Sequence, residues 1–501
     1  MKKIIAFGLG GIVLSFCLGS QNLFQAKAYI AATNSAANVV VGQQDMSSNL
    51  VNQNTGAAGA NTLKTPCHTY IYGTKLFVSD TYNHRVLIYN TIPTSSNASA
   101  DVVIGQADMT GNTPNRGGAV AANTLYYPTD VATDGTKLII ADWGNNRVLI
   151  YNTIPTSSNA SADVVIGQAN MVSNDANQGA AVSASTLYAP YGIYYNGTKL
   201  FVTDNYNNRV LIYNSLPSSN NASANVVVGQ ANMGSNDANQ GGSVSENTLS
   251  DPIGVWADND KLFVGDYGNN RVLVYNSIPT SNNASANVVV GQANMTSSGA
   301  NQGTSVTVAS LNGPHGVFVF NSKLYVSDYE NNRVLVYNSI PTSNNTSADS
   351  VIGQADMTSA TANRGGAAGA NTLNKPNSVF ANAQYLAIAD RENSRILLFD
   401  NQDTTASPAT LTYSNKKNKS KTVTLNFYGF TASKTKKKYY TVKIGGKNMS
   451  VKSVKKYSDR VRVKVKYKYG KKARGTYDVY LRYKYGGTIN TRTTEDLITI
   501  Q

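Results

Sequence analysis

The chain has 501 residues, 41% of them hydrophobic and 14% charged, with a formal net charge of +15. That length exceeds one ordinary core and predicts at least two domains, and the apolar content excludes a disordered polymer. Its 41 glycines and 31 tyrosines, with abundant Asn and Ser, favour strands joined by turns over helices.

The first expected element is an export signal. Lys2 and Lys3 precede an apolar run at 4–19, and Ala26-Lys27-Ala28 offers a small-residue cleavage site, so residues 1–28 are expected to be removed. No later run is apolar and long enough to span a bilayer, which predicts a mature chain outside the cytoplasm with no membrane span. Cys17 would leave with the signal, and Cys67 then has no partner for an intrachain disulfide.

Residues 29–402 are organised by a repeat. Asp80, Asp142, Asp204, Asp266, Asp328 and Asp390 are spaced by 62 residues, as are Arg85, Arg147, Arg209, Arg271, Arg333 and Arg395. Pro66, Pro128, Pro190, Pro252, Pro314 and Pro376 keep the same step, and a Gly-Gln pair recurs from Gly42 to Gly353. Within one unit, "YGIYYN", "KLFVTD", "RVLIYN" and "NVVVGQ" read as four short strands separated by turn chemistry. Four-stranded sheets repeated radially make a β-propeller, and six units give six blades. The first repeat-like stretch, Asn38–Gln43, is a fourth strand without its three predecessors, whereas the last unit lacks a fourth. The N-terminal strand is therefore expected to complete the last blade and to remove two open sheet edges.

The excess over an ordinary propeller unit lies between each fourth strand and the next first strand. Each of these loops carries a methionine (Met46, Met109, Met171, Met233, Met295, Met357) and ends on a leucine (Leu63, Leu125, Leu187, Leu249, Leu311, Leu373). Two apolar anchors at fixed places predict a compact loop held on the blades. The Asp and Arg recurring in every unit are expected to pair across the turn joining the second and third strands and to maintain the blade. "LFVSDTYNHRVLIYN" and its copies resemble NHL repeats, a six-bladed propeller family, across about residues 38–400. The resemblance implies an architectural role for the Asp-x-x-x-Asn-Arg-Val region.

Function is then expected where the repeats differ. After the repeated aspartate, five blades carry an aromatic residue, Tyr82, Trp143, Tyr206, Tyr267 and Tyr329, and the sixth carries Arg391. Aromatic rings among Asn, Gln, Ser and Gly suit stacking on sugar faces or contact with a protein ligand; packing against the long loops is the competing expectation. Propellers of related architecture also support metal-dependent lyases and lactonases. At the channel mouth the usual ligands would be His68, Asp130 and His315, with calcium the conceivable cofactor and otherwise none. No catalytic residue is assigned, and a non-enzymatic role is expected.

Residues 403–411 read as a linker and 412–501 as a small basic β-sandwich. From Leu411 on there are 24 Lys and Arg against 4 Asp and Glu, whereas the preceding residues hold 19 basic and 24 acidic side chains. In "RVRVKVKYKYG", Arg460, Arg462, Lys464, Lys466 and Lys468 fall on one strand face and valines and tyrosines on the other. A row of cations suits an anionic polymer. "VKIGGKNMSV" and "GTYDVYLRY" resemble immunoglobulin-like modules of the IPT/TIG type. The mildly acidic propeller is not expected to bind intracellular nucleic acid. The composite expectation is a secreted, cell-surface bacterial binding protein: its propeller face takes an extracellular glycan or protein, and its basic domain attaches to an anionic envelope polymer. A propeller lyase or lactonase and a structural surface-layer component are the alternatives.

Overall fold

Every second and third strand of the repeat contains a continuous apolar run, such as the one at 200–202 in Leu200–Asp204 and the one at 210–213 in Arg209–Tyr213, and every residue of these two strands is buried. A strand solvated on one face would alternate; a continuous run needs cover on both faces. A computed structural model supplies that cover. It describes residues 33–400, 421–428, 436–444, 447–456, 460–467, 475–485 and 488–500, in two compact units taken separately below. The signal at 1–28, the linker at 403–411 and Lys468 lie outside the described residues.

Residues 33–400 form six four-stranded antiparallel blades. Blade 3, for example, runs Pro190–Tyr195, Leu200–Asp204, Arg209–Tyr213 and Val226–Val228 from the axis outward. Side chains of adjacent blades interdigitate: Ile139, Ala141 and Val148 of blade 2 pack with Leu200, Val202 and Leu211 of blade 3. The innermost strands touch in sequence around the ring, and that of blade 6 touches that of blade 1.

The expected closure is present. Val39, Val40 and Val41 pair antiparallel with Leu398, Leu397 and Ile396, so the blade 6 sheet is completed from the N-terminus. The borrowed piece is longer than one strand. In the other blades the loop before the fourth strand reaches the outer edge of the preceding blade: Asn97 donates its N–H to Val40 O, and Ser96 Oγ accepts from Val40 N. Thr33 and Asn34 do the same for blade 5, with Asn34 N donating to Val351 O and Val351 N donating to Thr33 Oγ1. The N-terminal segment thus supplies loop and strand together, and each outer edge is covered by its neighbour's loop.

The interblade loops are ordered, as their anchors imply. All six leucines have zero exposure. Each lies against the glycine of a Gly-Gln pair, whose φ is near +90°; a Cβ at Gly229 would fall 2.4 Å from Leu249 Cδ1. The methionine side chains are only partly buried, and their backbone matters more, as described next.

In the C-terminal unit, six strands hydrogen-bond in one continuous antiparallel order: Lys421–Tyr428, Arg460–Tyr467, Lys447–Lys456, Tyr440–Ile444, Gly475–Tyr485, Thr488–Ile500. Arg460–Tyr467 is an interior strand. Register sets Arg460 opposite Tyr428, Arg462 opposite Asn426 and Lys455, Lys464 opposite Thr424 and Ser453, and Lys466 opposite Thr422 and Ser450. Val463 is buried and Lys464 exposed, as the alternation requires.

Candidate functional site

The mouth of the ring is built on the repeated aspartate and arginine. In blade 3, Arg209 Nε donates to Asp204 Oδ2 at 2.8 Å, with both side chains fully buried. Its Nη1 donates to the Met233 carbonyl, and its Nη2 to the carbonyls of Ser183 and Thr186, so one guanidinium ties two interblade loops to the sheet. Asp204 Oδ2 also accepts from Asn207 Nδ2, and Oδ1 accepts the backbone N–H of Tyr188 at 2.7 Å. Burial by itself pushes such a carboxyl's pKa up, and the guanidinium with its companion donors favours the ionised form. The arrangement recurs in all six blades, with Arg-to-Asp contacts of 2.7–2.8 Å. These residues hold the blade, as their recurrence implied.

That same aspartate fixes what the mouth displays. The N–H it binds belongs to the residue two before the repeated proline: Lys64, Tyr126, Tyr188, Ser250, Asn312 or Asn374. The residue one before the proline is left-handed in every blade, with φ between 48° and 58°. Its N–H is held by the preceding blade; Asp251 N, for example, donates to Asn208 Oδ1. In blade 2 the acceptor is His84 Nδ1, 3.2 Å from Tyr127 N. Burial and nearby Lys64 lower the His84 pKa to about 4, so the ring is neutral and able to accept.

On this frame the six expected mouth residues separate into two groups. Across blades 1–3 they form an exposed arc. Tyr82 packs against Tyr127 at 4.8 Å between ring centroids, Tyr127 against Trp143 at 6.1 Å, Trp143 against Tyr206 at 5.8 Å, and Tyr206 against Tyr188 at 5.0 Å. Tyr82, Tyr188 and Tyr206 are 37%, 37% and 44% exposed. Tyr126, Tyr127 and Tyr188 were not among the expected site residues. Their signal is legible: "LYYP" and "LYAP" stand where the other units have "LKTP", "LSDP", "LNGP" and "LNKP".

Across blades 4–6 the mouth is filled. Tyr329 is buried and stacks on the His315 ring at 3.8 Å, with Tyr267 edge-on to His315 at 5.0 Å. Asn377 Nδ2 lies 2.9 Å from His315 Nδ1 and donates to Tyr191 Oη at 2.8 Å; Tyr191 Oη reaches Cys67 Sγ at 3.5 Å. Arg391 donates to Tyr329 Oη, pairs with Glu392 at 3.1 Å and lies over the Tyr82 ring. Burial and the Arg391 charge hold the His315 pKa well below its usual value, so this plug contains a neutral imidazole. Tyr267, Tyr329 and Arg391 therefore pack into this plug, whereas Tyr82, Trp143 and Tyr206, although they touch loop residues or one another, keep part of their surface open.

Beneath the plug is a cavity of about 30 Å³, room for about two waters. His68, Asp130 and His315 all line it. His68 Nδ1 lies 2.8 Å from Asp130 Oδ1, while Asp130 Oδ2 accepts from Ile193 N. Among the described residues no three His, Cys, Asp or Glu side chains come together so as to hold a metal ion. A second set of rings, four residues after the repeated proline, narrows the channel below: Tyr70, Phe380, Phe318, Trp256 and Tyr194 touch in sequence at 3.9–4.8 Å. This set was also missed, although it keeps the 62-residue step in every blade but the second, which has Ala132.

Several solved structures resemble the chain. A chain of the nidogen/laminin complex matches at 14% identity, over 60% of this chain and 86% of that one, with TM-score 0.30. AztD of Citrobacter koseri matches at 11% identity, over 58% and 89%, TM-score 0.27; glutaminyl cyclase of Myxococcus xanthus matches at 12%, over 60% and 88%, TM-score 0.25. No family model and no curated protein matches the chain. The class defined by the fold is thus a six-bladed β-propeller, and the finer likeness to NHL repeats rests on the Asp-x-x-x-Asn-Arg-Val segment alone.

Proposed function

We propose that the chain is an exported, non-enzymatic binding protein of NHL-like construction. Its propeller face takes an extracellular glycan through the aromatic arc of blades 1–3, and its cationic C-terminal sheet, immunoglobulin-like in pattern, holds an anionic polymer of a cell envelope. The observation that carries this reading is the arc itself. Its exposed rings stand on a rigid frame, so little conformational freedom is lost when a ligand stacks on them. Among the described residues no helix is long and apolar enough to cross a membrane, and attachment through charge supplies another route to a surface.

The test uses the full chain. Replacing Tyr82 and Tyr206 with alanine should abolish retention on an immobilised glycan while lowering the thermal midpoint little; unchanged retention with a lower midpoint would assign the rings to packing. Retention on teichoic acid or another polyanion should fall steeply as salt rises, and binding that survives molar salt would refute the cationic anchor. The lyase or lactonase reading has one observation in its favour, the contact of His68 with Asp130 in a lined cavity. Metal analysis of purified protein and loss of metal in Asp130→Ala would support it.

A further inference from the structure

Three of the mouth aromatics are met by the residue one before the proline of the next blade. Tyr82 packs on Tyr127, Tyr267 lies over Gly313, and Lys375 sits over the Tyr329 ring at 5.2 Å while pairing with Glu330 at 3.1 Å. Between blades 3 and 4 the corresponding residue is Asp251. Its backbone is fixed by Asn208 and a left-handed φ of 48°, which sets the direction in which its side chain leaves the chain. Its carboxylate is half-buried and makes no hydrogen bond or ion pair with any described residue. Burial alone pushes its pKa up, with no cation or donor to offset it. Burial raises the phenol pKa values of Tyr206 and Tyr267, and the Asp251 charge adds to the rise at both, at Tyr267 behind that of Glu330. A partly desolvated carboxylate set between aromatic rings is costly unless something donates to it.

We infer that Asp251, flanked by Tyr206 and Tyr267, is the polar anchor of the ligand face and accepts hydrogen bonds from adjacent hydroxyls of a neutral hexose unit stacked on Tyr206. This rests on the glycan reading and deepens it. A carboxylate with two free oxygens matches a pair of neighbouring hydroxyl donors, and the exposed Tyr206 ring offers the apolar face that a pyranose covers. An ammonium group would satisfy the charge equally well and could sit over one ring, as Lys375 does over Tyr329, but a single ammonium leaves uncovered the rings that continue from Tyr206 through Trp143 and Tyr127 to Tyr82. A chain of sugar units lying along the arc uses all of them, with Asp251 fixing one end. The seam between blades 3 and 4 is also where no ring contact joins the open arc to the filled half of the mouth.

The experiment compares the full chain with Asp251→Asn and Tyr206→Ala on three neutral immobilised polymers, a β-1,4-glucan, a β-1,3-glucan and an α-1,4-glucan. Salt is kept high enough to screen the cationic tail, and poly-L-lysine is the fourth matrix. Retention on at least one glucan is expected, reduced about tenfold or more in either variant, as loss of hydrogen bonds to a charged group implies. The thermal midpoint of Asp251→Asn should be unchanged or higher, because a desolvated charge is removed. Glucan retention that Asp251→Asn leaves intact overturns the anchor while sparing the glycan reading. Failure of the unaltered chain on every glucan overturns both. Capture by poly-L-lysine alone, released by Asp251→Asn, assigns the notch to ammonium groups and overturns the saccharide.

Discussion

The buried hubs and the mouth they support are made of the same repeat and behave in opposite ways. At the hub, six blades present one Asp–Arg pair with the same partners and the same zero exposure. At the mouth, a few residues away, blades 1–3 leave Tyr82 and Tyr206 exposed, whereas Tyr267 and Tyr329 of blades 4 and 5 pack on His315. The hub can be identical because each copy faces the same interblade loop. The mouth cannot, because its residues converge on an axis where the six blades compete for one space. Identity between units therefore marks what holds the blades, and divergence marks where the face of the ring differs from blade to blade.

The comparison can be broken hardest at the hub. Arg209→Ala leaves Asp204 buried without its cation, and chemical denaturation should show a loss of about 3–5 kcal/mol. A loss under about 1 kcal/mol would mean that the hub is not what holds the blade. Gly229→Ala should cost less: the left-handed strain is about 1–3 kcal/mol, and the collision with Leu249 adds to it. Wild-type stability in that variant would show that the loop anchor can yield. The smallest effect is His84→Asn, which puts into blade 1 the residue that holds this acceptor role in blades 2–5. The folded His84 pKa, about 4, lies below its usual 6.5. The neutral ring therefore contributes stability that is complete above 6.5 and lost as pH falls towards 4. Asn has no such titration, so the denaturation midpoint should fall less between those pH values in the variant; identical slopes would assign the acid sensitivity elsewhere.

Much of this architecture was legible in the residues. The 62-residue step, the orphan strand at Asn38–Gln43 and the glycine facing each leucine are all local signals that the ring simply realises. The longer N-terminal contribution was visible too, since "TNSAANVVVGQ" parallels "SNASADVVIGQ", although only its strand was read. The candidate site was legible by position and not by exposure. Whether a turn aromatic is open depends on residues far off in sequence: Tyr329 is buried because His315 and Arg391 fill the space around it, whereas Tyr206, met edge-on by Trp143 and Tyr188, stays 44% exposed. The isolation of Asp251 is also a three-dimensional fact, because Lys375, at the same place in the repeat, finds Glu330.

The clasp formed by residues 33–43 has a temporal consequence. The chain is synthesised from the end that must wait: the segment that seals blade 6 precedes its partner strand by more than 300 residues and can pair only after Arg395–Asp400 has been made. For the whole interval the strand Val39–Val41 lacks the partner it has in the finished ring. Sealing therefore waits for the last blade, and the ring gains its final sheet edge only when Arg395–Asp400 meets Val39–Val41.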